Sequence, residues 1–370
     1  MEFIIEKKKL LDCLNHFQSV VEKRNTIPIL SNIKITTDST IQNRLIFTAT
    51  DLALEISEKL DVKLVKPGGI TIPSQLFYEL IRKAPDGCNI TVSYEETSNN
   101  AIVLFNNSKF NFPTMPIDDF PVMDNKDLDK KIDLDINSLR HLINNCKFCM
   151  GLDESRQYLN GIFFHVSNEQ ISTVATDGHR LAKCVLEKKT DSDFDGIIIP
   201  KKSVYEISKV LDEVSGNVSL NFSKNRLKVT IGQIVIITKL INSSFPDYES
   251  VIPNEEEQIV IVDCGKFSET IDRVATISNE KFRTVKFQIK DNLCIVSSSG
   301  SDKSSGTESI EVKYNGPEIN INFNSRYILD VLSLIKEGQV IFNFSKNTSP
   351  TVLTSESFKD ALFLIMQMRA

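Results

Sequence analysis

Apolar residues near the start of the chain fall at the spacing of one helical face: Leu10, Leu11, Leu14, Phe17 and Val20. A similar face returns at Leu139, Leu142, Cys146, Cys149 and Met150, and a third at Phe267, Ile271, Val274 and Ile277. A second helix keeps the same rhythm. Phe77-Tyr78-Glu79-Leu80 is echoed by Val204-Tyr205-Glu206-Ile207 and by Ile328-Leu329-Asp330-Val331. After each of these helices comes an alternating stretch that predicts a half-buried strand: Ile90–Tyr94, Val218–Phe222 and Val340–Phe344. Phe120-Pro121 and Phe245-Pro246 close the first two repeats alike. The landmarks recur roughly 124–129 residues apart, which predicts three tandem copies of one module.

Each copy reads as helix, strands, helix, strands, an α+β module of ordinary domain size. The expected limits are residues 1–124, 125–253 and 254–370, with linkers at the proline-marked turns near Pro121 to Asp133 and Pro253 to Gln258. Lys126-Asp127-Leu128-Asp129-Lys130-Lys131 carries mixed charge, as an exposed connection does. Three sheet-bearing modules in a row leave open strand edges at the two ends of the chain, and open edges pair with other chains. If the first module of one copy pairs with the third of another, two such contacts close a ring. An arc of three copies suits half a ring better than a catalytic cleft.

Composition narrows the class without choosing a function. With 370 residues and 41% hydrophobic content, the chain is large enough for several cores. It has no apolar run of membrane-spanning length, and Met1-Glu2-Phe3-Ile4-Ile5-Glu6 lacks the order of a signal peptide. Seven scattered cysteines suggest reduced thiols and a cytoplasmic setting. The net charge of −6 means that any nucleic-acid contact must use a local basic face.

Three segments imitate chemistry. Cys146-Lys147-Phe148-Cys149 with nearby His141 raises a redox or metal reading, but the repeat aligns both cysteines with apolar residues: Cys146 with Phe17 and Val274, Cys149 with Val20 and Ile277. Core positions are expected. Asp191-Ser192-Asp193-Phe194-Asp195-Gly196 opens like a calcium loop, yet its twelfth position is Lys202 rather than a bidentate acid. Asp177-Gly178-His179-Arg180 holds acid–base residue types without a nucleophile motif or a phosphate loop. It reads either as a turn entering a strand with His179 half-buried, or as a wall of a partner-binding pocket. No catalytic residue and no metal ligand set is expected.

Several segments resemble the bacterial beta sliding clamp family, the beta subunits of DNA polymerase III. They are Thr26–Leu30, Tyr158–Gly161, Val174–Ala182, Phe245–Tyr248, Ser278–Arg283 and Met366–Arg369, in the family's order and over the whole chain. The resemblance implies three clamp modules per chain. It also implies a head-to-tail homodimeric ring of six modules, with sheets outside and helices lining a hole for double-stranded DNA. The implied function is processivity of the replicative polymerase, without catalysis or cofactor. Helices that slide over any sequence need lysine and arginine aimed at phosphates. Arg24, Arg82, Lys201, Lys202, Lys209 and Arg283 are the candidates, with Tyr158 on a nearby loop. Each alone also reads as a solvated surface charge.

The resemblance further implies a groove that takes short peptides from the polymerase, the clamp loader and repair proteins. Its positions here are Leu159, Thr176, Gly178, His179, Arg180, Leu181, Pro246, Val251, Pro350, Leu364, Ile365, Met366, Met368 and Arg369. An apolar groove with flexible methionines and a few polar groups suits varied ligands. Three departures bear on its detail: Gln367 replaces a proline in the tail, Ser250 stands where a basic residue can flank the pocket, and Gln157 precedes Tyr158. The implied dimer seam sets Phe110 and Phe112 against Thr276 and Ile277. A buried strand accounts equally well for the alternation Phe110-Asn111-Phe112.

Overall fold

The computed structural model describes residues 1–370 apart from 22–25, 96, 98, 125–127, 168, 189–193, 254–256, 280–281, 345–349 and 369–370. Six α-helices are present among them: α1 (Lys7–Phe17), α2 (Ser74–Lys83), α3 (Ile136–Asn144), α4 (Lys201–Glu213), α5 (Cys264–Ala275) and α6 (Ser325–Ile335). None is long and apolar enough to cross a membrane. The predicted pairs of helices per repeat are therefore present. The second face is shorter than its spacing suggests: α3 stops at Asn144, and Lys147–Cys149 form a single 3-10 turn. Cys146 and Cys149 stay buried on that turn, so the apolar pattern reports burial beyond the end of the helix.

The chain forms two compact units. One comprises Met1–Arg140 with Lys202–Leu240, the other His141–Lys201 with Ile241–Ala370. The division does not follow the repeat, because strands of successive repeats share sheets. In the first unit an eight-stranded antiparallel sheet runs in the order Lys130–Asp135, Asn217–Phe222, Arg226–Ile231, Ile234–Lys239, Leu54–Asp61, Arg44–Thr50, Asn32–Thr37, Gly69–Pro73. Its seam is the pairing of Ile234–Lys239 with Leu54–Asp61, in register Ile236↔Ile56 and Thr238↔Leu54. In the second unit the order is Phe194–Pro200, Gly161–Ser167, Gln170–Thr176, Arg180–Glu187, Ala361–Ile365, Thr351–Thr354, Gln339–Phe344, Gln258–Asp263. Its seam joins Arg180–Glu187 to Ala361–Ile365, with Leu181 opposite Leu364.

Each unit has a second sheet, and in the second unit Met368 bridges to Asn322 on one of its edge strands. The first unit's has five strands, ending on Lys63–Lys66 and Ser108–Pro113; the second's has four, ending on Ser305–Glu311 and Ile319–Asn324. The first linker is shorter than expected, since a strand already begins at Lys130, whereas the second gives way to a strand at Gln258, its expected end.

Local sequence explains these elements. In α1, Leu10, Cys13, Leu14 and Phe17 turn one stripe inward, as do Ile328, Val331, Leu332 and Ile335 in α6. Asp263 caps α5 by accepting from the Lys266 N–H at 2.9 Å, and Asn324 caps α6 through the Arg326 N–H at 3.0 Å. Each cap is worth about 1 kcal/mol. Val218–Phe222 alternates buried and half-buried as predicted, and pairs antiparallel with Lys130–Leu134. In the second unit Phe267, Phe287, Phe323, Phe342 and Phe344 form a continuous aromatic core, with ring centroids 5.3 to 6.2 Å apart.

Candidate functional site

The seam of the second unit carries a cavity of about 430 Å³. One wall is the turn from Thr176 into the strand Arg180–Glu187. The Thr176 hydroxyl donates to the Arg180 carbonyl at 2.6 Å and accepts from the Gly178 N–H at 3.1 Å. One oxygen of Asp177 accepts the N–H groups of His179 (2.9 Å) and Arg180 (3.0 Å). Gly178 sits at φ +88°, a conformation that favours glycine, while the one contact a Cβ there would meet, the Arg156 guanidinium at 2.7 Å, is the mobile end of a side chain. The second wall is the last strand, Ala361–Ile365, and just past its end the Met366 N–H donates to the His179 carbonyl at 2.8 Å.

The floor is an apolar cluster of Val174, Leu181, Tyr248, Val352 and Leu364, with Phe163 and Phe245 stacked at 4.8 Å beside it. Tyr248 is fixed by a 2.9 Å bond between its hydroxyl and His165 Nε2. Burial and the Lys183 ammonium hold the His165 imidazole below its ordinary pKa, while burial and the Glu249 carboxylate push the Tyr248 phenol up. Both groups are neutral at neutral pH and act as a packed hydrogen-bonded pair. At the rim, Val251 is 47% and Met366 40% exposed. Paired apolar rim residues above an apolar floor make a surface suited to apolar side chains.

Behind the turn, Arg180 is anchored. Its guanidinium donates to Asp177 (3.0 Å), to Asp330 on α6 (2.6 Å) and to the Phe148 carbonyl (2.6 Å), and lies 4.5 Å from the Tyr327 ring centroid. Thr176, Gly178, His179, Arg180, Leu181, Pro246, Val251, Pro350, Leu364 and Met366, all expected in the groove, line this one cavity. Four expected residues do not. Leu159 is buried, Ile365 lies on the opposite face of the strand from Leu364, and Met368 bridges to Asn322. Arg369 lies outside the described residues. The cavity adds Asp247, Tyr248, Ser250, Ile252 and Pro253. Ser250 was already expected at the pocket's flank, and the others are signalled by the Phe245–Tyr248 stretch and Pro253. His179 is exposed rather than half-buried.

The basic residues divide. Arg82 on α2 and Arg283 are exposed, Arg82 bonding Glu79 at 2.6 Å; Tyr158 is half-buried on the 3-10 turn Gln157–Leu159. Three lysines of α4 are engaged inside the protein: Lys201 approaches the Met150 and Gly151 carbonyls at 3.4 Å, Lys202 pairs with Asp51 at 2.5 Å, and Lys209 donates to the Asn15 carbonyl at 2.7 Å. The helices also expose Lys8, Lys9, Lys83, Lys266 and Arg326, which the sequence reading passed over. Arg24 lies outside the described residues, as do Asp191 to Asp193 of the calcium-like loop. At the expected seam, Phe110 on the edge strand Ser108–Pro113 is 38% exposed, whereas Phe112 is 7% exposed and packs on Phe77 at 6.1 Å. Thr276 is exposed and Ile277 half-buried just past α5.

Cys146 and Cys149 are fully buried, and desolvation pushes both thiols up. The described donors that do converge are His141, Cys184 and Asp360, whose ligand atoms lie within 4.8 Å of one another, with His141 Nε2 bonded to Asp360 at 2.6 Å.

Three family descriptions cover the chain. The N-terminal, central and C-terminal domains of the DNA polymerase III beta subunit match residues 1–124, 133–247 and 249–369. The beta sliding clamp of Caulobacter vibrioides is 36% identical over the whole of both chains, and that of Pseudomonas aeruginosa 32%. Among solved structures, the Caulobacter crescentus beta sliding clamp superposes with a TM-score of 0.96 at 36% identity, covering 100% of this chain and 99% of that one. The Pseudomonas aeruginosa DNA polymerase III beta subunit gives 0.94 at 31%, with full coverage of both. By sequence along its full length and by the fold of each domain, the chain belongs to the beta subunits of DNA polymerase III and is a DNA sliding clamp, a processivity factor rather than an enzyme.

Proposed function

We propose that two copies of this chain assemble head to tail into a ring around double-stranded DNA, and that the groove at the second unit's seam captures short segments of the replicative polymerase, the clamp loader and repair proteins. The observation that carries the reading is the groove itself: an exposed apolar rim at Val251 and Met366 over a rigid floor. Modules 1–124, 125–253 and 254–370 are its repeating units. The open edges Ser108–Pro113 and Ser305–Glu311 are of the kind that pair across a subunit boundary. In this reading Phe110, with Phe112 packed behind it on Phe77, faces the neighbourhood of Thr276 and Ile277 of the second copy.

Arg82 and Arg283, being exposed, are the favoured phosphate contacts among the residues first considered, with Arg24 and Tyr158 beside them. Lys201, Lys202 and Lys209 serve chiefly to hold α4 in place. A ring that encloses its ligand topologically needs only weak contacts, and an acidic body repels other DNA. The cytoplasm is the expected compartment. Retention on nicked circular DNA after loading by a clamp loader tests the ring. Co-elution with the circle, and release on linearisation, is expected; equal retention on linear DNA would refute it. For the groove, a polymerase tail peptide should lose at least tenfold in affinity on Leu364→Ala, and an unchanged affinity would exclude this site.

A further inference from the structure

The seam of the first unit repeats the groove in backbone detail. The Thr50 hydroxyl donates to the Leu54 carbonyl at 2.9 Å and accepts the Leu52 N–H at 3.0 Å, as Thr176 does for Arg180 and Gly178. One Asp51 oxygen accepts from the Ala53 and Leu54 N–H groups at 2.8 and 2.7 Å, as Asp177 does from His179 and Arg180. The Lys239 N–H donates to the Ala53 carbonyl at 2.8 Å, as Met366 does to His179. These bonds surround a cavity of about 310 Å³ whose lining includes Leu52, Pro121, Val122, Met123, Arg226 and Lys239. Pro121 and Val122 occupy the place that Pro246 and Asp247 hold in the first groove.

What differs is charge. By the shared hydrogen bond, Lys239 replaces Met366. Arg226 lies directly opposite Lys239, as Pro350 flanks the Thr351↔Ile365 pair, so Arg226 replaces Pro350. Two cations thus stand where the first groove presents apolar groups. Lys239 is exposed and has no ion-pair partner among the described residues. Arg226 lies 3.4 Å from the Asp124 carboxylate, the one lining acid, which leaves the mouth net positive on a chain of net charge −6. Apolar reach persists: Val122 is 69% exposed and Leu52 36%. Leu52 is also held at φ +73°, a conformation that its counterpart Gly178 adopts freely. The Met123 N–H bonds the buried Glu55 at 2.9 Å, so the wall is pinned rather than loose.

We infer that the first unit holds a second peptide site, selective for a short acidic segment of a partner protein that carries apolar residues among its carboxylates. The ligand class rests on reading the first groove as a peptide site; the geometry stands independently of it. Carboxylates would meet Lys239 and Arg226, and a leucine or phenylalanine side chain would sit against Leu52 and Val122.

The test is fluorescence anisotropy on the full chain with fluorescein-labelled Glu-Asp-Leu-Glu-Phe-Asp-Leu-Glu, and with the same peptide carrying Gln at every acid. The acidic probe should bind, weaken as salt rises, lose about tenfold in affinity on Lys239→Glu, and be unaffected by Met366→Lys in the first groove. Lys239 is exposed, so its variant should fold, which circular dichroism verifies. Absence of binding, indifference to Lys239→Glu, or loss on Met366→Lys would each overturn the proposal. The uncharged probe reports the first groove separately: sensitivity to Met366→Lys alone supports that reading, and its failure leaves the acidic-probe result standing on its own.

Discussion

Arg180 ties the groove wall to α6, and replacing it with methionine should loosen that wall measurably. Its side chain is 12% exposed, and it makes charge-assisted bonds to Asp177, Asp330 and the Phe148 carbonyl besides stacking on Tyr327. Removing one partner of a fully buried ion pair costs about 3–5 kcal/mol, because the other charge is stranded. Here the stranded carboxylates retain access to water, Asp177 at 19% and Asp330 at 32% exposure, which moves the expectation below that range. Methionine preserves most of the packed volume, so no large cavity adds to the loss. The expected cost is about 2–3 kcal/mol.

A chain of several domains does not unfold in one step, so a global transition is the wrong readout. Native-state hydrogen exchange resolves the effect. Amides of Arg180–Glu187 and α6 should open about 30- to 150-fold more often in Arg180→Met, whereas those of α1 and α2 should not change. Arg180→Lys should recover only part of the loss, since an ammonium cannot bond two carboxylates and stack on a ring in one plane. A change below threefold in those amides, or an equal change in α1 and α2, would refute the reasoning.

Other consequences are accessible. His16 lies between Glu58 and Glu213, each 2.8 Å from a ring nitrogen. Burial opposes its charge, but the two carboxylates outweigh that and raise its pKa. The stability it contributes is therefore fully present below the free-histidine value of about 6.5 and fades as pH rises through the folded value. In native-state hydrogen exchange the opening free energy of the α1 amides in His16→Gln should fall furthest behind wild type near pH 6 and approach it by pH 9, and a constant gap would exclude the linkage. Six of the seven cysteines are buried and only Cys88 is partly exposed, with burial pushing Cys184 up to about 12. Thiol labelling of the native chain at pH 8 should modify Cys88 alone, and rapid modification of Cys146 or Cys149 would contradict their core placement. Gly161→Ala would set a Cβ 2.3 Å from the Ile199 carbonyl and force the paired strands apart. A loss of about 1–3 kcal/mol is expected in the opening free energy of the Gly161–Ser167 amides in native-state hydrogen exchange, and unchanged exchange there would show that the backbone yields freely.

Much of this molecule is legible in one dimension. The three-fold repeat, the helix faces of Leu10, Leu14 and Phe17 or Ile328 and Leu332, and the alternating strands at Val218–Phe222 and Val340–Phe344 follow from periods of 3.6 and 2 that neighbouring residues set between themselves. The repeat likewise identified Cys146 and Cys149 as core, because their counterparts are apolar. Most of the groove was legible only through the family resemblance, which carried over Thr176, Gly178 to Leu181, Pro246, Val251, Pro350, Leu364 and Met366 position by position.

What the chain could not announce is long-range. Leu364 and Ile365 are neighbours of like chemistry, and only the register with Arg180–Glu187 sends one into the groove and the other into the core. Lys202 and Lys209 read as free cations until the fold brings Asp51 and the Asn15 carbonyl to them from well over a hundred residues away. The same holds for the two seams: that Ile234–Lys239 pairs with Leu54–Asp61, merging successive repeats into one sheet and creating the second groove, which is basic, depends on strand order. The sequence by itself determined which residues turn inward and how often the pattern returns, because local sterics and hydrophobic spacing act within a few residues. The tertiary structure alone decided which strands meet and which charges are neutralised, because those contacts join segments whose closeness no local period encodes.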